Sequence, residues 1–207
     1  MSVTGSANSA PLRTGFPVCD TLGGLTASFA IAAALVRRAN TGEGEYIDVA
    51  MLDSTLGAMG WVVSNYLTAG QVPEPMGNDN FTASPSGAFR ARDGMINIAA
   101  NEQRQFEALC QVIGRDALAA DPRFADREAR KQNRAALTAE IEAALADRTA
   151  RQWVGLLVAE GVPAGEILSV PEILAHDQVA ARGLLRTFDP VPGVGRPVTV
   201  LNSGAKL

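Results

Sequence analysis

The side chain best placed for chemistry is Asp20, followed by Thr21-Leu22-Gly23-Gly24 at the mouth of a long Ala- and Leu-rich stretch. A carboxylate at such a point has two uses. It can cap the helix, which stabilises it by about 1 kcal/mol and is the reading its type and position favour, or it can take part in catalysis. Helix N-terminal N–H groups favour its ionised form and can steady an oxyanion forming beside it. Gly23 and Gly24 leave room for a ligand to approach that helix end, and the same absence of side chains suits tight helix packing. Other chemistry is sparse. The sequence has no glycine-rich phosphate loop, no metal-ligand spacing and no Gly-x-Ser-x-Gly elbow. The single histidine, His176, has no sequence-visible partner and reads as a surface helix position. Asp48 reads as a solvated strand position and Asp53 as a helix cap, while Met51 reads as core filling at a strand end. Cys19 and Cys110 lie far apart without a CxxC, so they are read as reduced thiols rather than a disulfide or zinc pair.

These residues need elements to hold them. Residues 1–17, rich in Ser, Gly, Pro and Asn, predict an irregular lead-in. From Asp20 to Arg38 the chain is apolar almost all round, the pattern of a helix buried on most faces, with Arg37 and Arg38 suiting its C-terminal dipole. A turn at 40–44 leads to a short predicted strand, Tyr46–Ala50, and Asp53-Ser54 then opens a second apolar helix reaching about Thr68. Two prolines in 70–75 suggest a boundary near residue 72. Asp93-Gly94 between 88–92 and 95–100 predicts a β-hairpin. Helices are predicted over 102–113, 134–146 and 149–160. Their core faces are Phe106, Leu109, Cys110 and Ile113, then Leu137, Ile141 and Leu145, then Trp153, Leu156 and Leu157. A short strand near 166–170, a helical piece over 171–181 stopped by Gly183, and a proline-broken β-like tail complete the pattern.

Composition narrows the classes. A chain of 207 residues, 47% hydrophobic and 19% charged, is globular in type and long enough for one or two domains. Its net charge of −4 and scattered basic residues give no footprint for nucleic acid. The stretch 22–36 falls short of the roughly 20 residues that span a bilayer, so a buried helix is expected rather than a membrane segment. The N-terminus lacks the charged-then-apolar order of a secretory signal, which points to the cytoplasm.

A longer series of motifs goes further. Gly15-Phe16-Pro17-Val18-Cys19-Asp20, Thr41-Gly42-Glu43-Gly44-Glu45 and Asp48-Val49-Ala50-Met51-Leu52-Asp53 occur in order. Ser84-Pro85-Ser86-Gly87-Ala88-Phe89, Asp121-Pro122-Arg123-Phe124, Gly161-Val162-Pro163-Ala164-Gly165 and Ala181-Arg182-Gly183-Leu184 follow. The series resembles the class III coenzyme A-transferases, the carnitine-dehydratase and bile-acid-inducible family. The resemblance implies an α/β fold: part of a Rossmann-like large domain (1–72), a small α+β domain with antiparallel strands (73–183), and the start of a return to the large domain (184–207), within an interlocked homodimer. It implies that Asp20 is the nucleophile and forms an aspartyl-CoA thioester. It also implies that Gly23, Gly24, Met51, Ser84, Ser86 and Gly87 lie near acyl-CoA. No tightly bound cofactor and no metal are expected, only acyl-CoA and a small carboxylic acid as substrates. The family has a CoA-binding portion upstream of the segment where this chain begins.

Two departures stand out. Ser84-Pro85-Ser86-Gly87 replaces the glycine run of formyl-CoA transferases, which argues against formate or oxalate chemistry, and Glu45 replaces the family's Gln. Two other readings remain open. One is an α-methylacyl-CoA racemase, again using Asp20 but exchanging an α-proton and needing no acceptor acid. The other is an inactive fragment that requires a partner chain.

Overall fold

A computed structural model describes residues 1–189 and 191–205; Pro190, one of the prolines expected to break the tail, lies outside them. The chain forms two compact units, Met1–Phe81 and Thr82–Leu207.

In the first unit the lead-in carries no helix or strand, as its prolines predict. Helix α1, Val18–Thr41, begins directly after Pro17 and ends where Gly42 turns left-handed at φ +76°. It runs three residues past the predicted end at Arg38, and Arg37 pairs across the closing turn with Glu43 and Glu45 at 3.3 Å each. At 24 residues α1 meets the length and composition of a bilayer span, so its length does not exclude one. The expectation of a helix buried on most faces is not met within this chain. Only Gly23 is buried on α1, and Phe29 is 78% exposed.

The predicted strand Tyr46–Ala50 does not form: the segment is extended at Ala50, with φ −90° and ψ 131°, but is assigned to no sheet. A strand exists only through its ladder partner, which no sequence pattern in 46–50 reveals. Helix α2, Met51–Ala58, starts two residues before Asp53, so Asp53 lies in the first turn instead of capping it. The helix predicted to run to Thr68 is broken, because Gly60 adopts φ +52° and α3 restarts at Trp61–Ala69. Each Ser and Thr of α1–α3 bonds its hydroxyl to the carbonyl four residues back.

The boundary differs from the one expected near residue 72. Phe81 stacks on Trp61 at 5.4 Å, and the Gly77 N–H donates to the Gly5 carbonyl at 2.6 Å, so 73–81 belongs with the first unit. Among the described residues this unit is helical, and the expected Rossmann-like sheet is not seen in it.

The second unit follows its hydrophobic pattern closely. Strands β1, Ser86–Arg90, and β2, Met95–Ala99, pair antiparallel about Asp93-Gly94, with Phe89 opposite Ile96. β3, Ala164–Glu166, adds to β2, earlier and shorter than the strand expected near 166–170. Helices α4 (Gln103–Val112), α5 (Ala117–Ala120), α6 (Arg127–Gln132), α7 (Arg134–Leu145) and α8 (Ala150–Ala159) follow, with α7 and α8 packed on the sheet and α4 against α8. Phe106, Leu109, Leu137, Ile141, Leu145, Trp153 and Leu157 form the core with Phe89, Ile96 and Ile98. Fully burying each large side chain stabilises by roughly 1.5–3 kcal/mol. Leu156, predicted on the core face of α8, is instead 39% exposed.

Caps fix the start of α8. Thr149 and Gln152 form a capping box, and the Asp93 carboxylate accepts from the Ala150 N–H at 2.8 Å. The helical piece expected over 171–181 is two short helices, α9 (Val170–Leu174) and α10 (Asp177–Ala181). His176 separates them as the cap of α10, its Nδ1 accepting from the Gln178 N–H at 3.1 Å. The tail is an antiparallel pair, β4 (Leu185–Phe188) and β5 (Val198–Leu201), with Leu185 opposite Leu201.

Candidate active site

Asp20 lies in the first turn of α1, exposed to solvent, and is not the helix cap. That position belongs to Pro17, whose carbonyl accepts from both the N–H and the hydroxyl of Thr21, at 3.0 and 2.9 Å. Proline offers no side-chain acceptor, so the helix opens without a side-chain cap. The N–H groups of Cys19 and Asp20 have no carbonyl four residues back within the helix, and they leave a partial positive charge at this end. The Asp20 carboxylate therefore sits where a negative group is favoured, with water as its neighbour.

Gly23 and Gly24 follow three and four residues on, on the same face as Asp20. The structure gives them different jobs. A methyl group on Gly23 would stand 3.1 Å from Cγ of Met51, so Gly23 is where α2 packs against α1. A methyl on Gly24 would meet nothing within 4 Å. The packing reading therefore applies to Gly23, and Gly24 leaves its flank of the helix open. Met51 is not a buried strand-end residue; it is the first residue of α2 and 55% exposed. Asp20, Gly23, Gly24 and Met51 thus form one group in the first unit.

Ser84, Ser86 and Gly87 are in the second unit and are buried, the two serines at 2% and 5% exposure. Three successive carbonyls of this segment are held. Ala83 accepts from Arg134 at 3.2 Å, Ser84 from Arg130 at 2.9 Å and Pro85 from the Ala100 N–H at 3.0 Å. The segment enters β1 as core, with Ser86 opposite Ala99 and Gly87 opposite Ile98.

Sequence reasoning missed Arg130. The residue is 1% exposed, and its guanidinium donates also to Gln103 Oε1 at 2.8 Å and the Phe124 carbonyl at 3.0 Å and lies 4.4 Å from the centre of the Phe106 ring. Burial pushes its pKa below the ordinary arginine value. Nothing in Arg127-Glu128-Ala129-Arg130-Lys131-Gln132 marks the middle arginine as internal, because a charged hexapeptide reads as a solvated face.

The remaining candidates are bland. Cys110 is buried, and desolvation pushes its thiol up to about 11, which leaves it protonated and inert at neutral pH. Cys19 is exposed and free. Asp48 is exposed. Among the described residues no group of three or more His, Cys, Asp or Glu could hold a metal ion.

Comparison with known proteins places these residues in context. The model of CoA-transferase family III matches residues 1–207. The acetyl-CoA:oxalate CoA-transferase of Acetobacter aceti is 36% identical over 201 residues, covering 97% of this chain and 52% of that enzyme. The succinate–glutarate CoA-transferase of Agrobacterium fabrum is 32% identical over 203 residues, covering 96% of this chain and 51% of that enzyme. Among solved structures, a CAIB/BAIF family protein from Brucella suis is 35% identical, with a TM-score of 0.83 over all of this chain and 53% of that one. The chain spans about half the length of the curated relatives it matches.

Proposed function

The chain belongs to CoA-transferase family III, and from that premise we propose that its parent enzyme moves coenzyme A between carboxylic acids through a thioester on Asp20. The observation that carries this reading is the exposed carboxylate in the uncapped first turn of α1, with the open flank of Gly24 one turn on.

The steps balance without a resident cofactor. An Asp20 carboxylate oxygen attacks the acyl-CoA carbonyl carbon, the C–S bond breaks, and CoA leaves as a thiolate while the acyl group stays on Asp20 as a mixed anhydride. That thiolate attacks the aspartyl carbonyl; the donor acid departs as a carboxylate and the enzyme holds CoA as a thioester. An acceptor carboxylate then attacks the same carbon and releases thiolate, which takes the acceptor's acyl carbon and returns Asp20 to its ionised form. Each attack gathers negative charge on a carbonyl oxygen, where the N–H groups at the start of α1 can stabilise it. Met51, resting on Gly23, would wall one side of the approach, while the Ser84–Gly87 segment supports the second unit from within.

Small acids are the proposed substrates, on the pattern of the relatives' acetyl, oxalate, succinate and glutarate groups. One of those relatives carries oxalate in its name, so the Ser84-Pro85-Ser86-Gly87 departure does not separate this chain from every oxalate enzyme. In the same reading the enzyme is a cytoplasmic homodimer, with protein and not lipid covering the apolar face of α1.

The test is to incubate the parent enzyme with acyl-CoA, trap with hydroxylamine or borohydride, and map the adduct by mass spectrometry. A modified Asp20 that disappears in Asp20→Asn together with CoA exchange supports the reading. Turnover with no adduct, or solvent exchange of an α-proton without any acceptor acid, overturns it.

A further inference from the structure

We draw no further inference here: the strongest candidate, the exposed apolar surface of α1, α2 and α3 in the first unit, carries nothing because nothing in the structure shows what covers it.

Discussion

Asp20 and Arg130 are opposite uses of a charge. One stands exposed in the first turn of a helix; the other is enclosed and bound to fixed oxygens. In the parent enzyme, Asp20→Asn is expected to lower CoA exchange on the order of 10⁶-fold, as loss of a nucleophile does, with circular dichroism unchanged. Arg130→Met should act on stability. It leaves the Ser84 and Phe124 carbonyls and the Gln103 amide oxygen without their donor, a cost of roughly 3 kcal/mol, read as a lower urea midpoint for the second unit.

The paired glycines divide the same way. Gly24→Ala gains helix propensity of about 0.5–1 kcal/mol in open space, so a raised Tm with a weakened kcat/KM would show that this flank admits substrate. A raised Tm with unchanged kinetics would remove Gly24 from the site. At this scale the residue type and place of Asp20 were legible from sequence, since an acid before a long apolar run draws attention. Its place inside the first turn was not, because Pro17 starts the helix earlier than any side-chain cap would suggest. The fates of Ser84 and Ser86 were equally hidden, since their burial depends on α6 and α7, far along the chain.

Elements were readable wherever their partners lay in the same pattern. The Asp93-Gly94 hairpin and the core faces of α4 and α7 appear as spaced, because each element buries its stripe against another in the second unit. Tyr46–Ala50 differs for the converse reason: among the described residues no strand pairs with it. Two consequences are measurable. Thr149→Ala and Asp93→Ala each remove a carboxylate or hydroxyl from the start of α8 and should each cost about 1 kcal/mol in denaturant titration.

The Cys110 thiol, pushed by burial from an ordinary 9.0 up to about 11 in the folded chain, stabilises the fold fully below pH 9. That contribution fades as pH rises towards 11, where the unfolded chain ionises first. A fall in unfolding free energy over this window that is absent in Cys110→Ala would confirm the linkage. An identical fall in both would assign it elsewhere. A thiol reagent at neutral pH should find one fast-reacting cysteine, Cys19, and a second only after denaturation.

For the whole molecule the contrast between the units decides behaviour. The second has its own core, while the first leaves Leu25, Phe29, Leu35, Leu52 and Trp61 exposed. The chain alone should self-associate, with size exclusion showing a concentration-dependent shift above the monomer volume; a sharp monomer peak at all concentrations would contradict this. The sequence predicts a buried α1 and the chain leaves it exposed, since an apolar surface is a property of a helix and burial is a property of its neighbours.

The back-bonded hydroxyls of α1–α3 bear on how such a surface would be covered. Because each already has an acceptor four residues away, drying this face strips few hydrogen bonds from water. Assembly through it should carry a large negative heat-capacity change and vary little between dilute and concentrated salt, a calorimetric signature opposite to that of a charged interface.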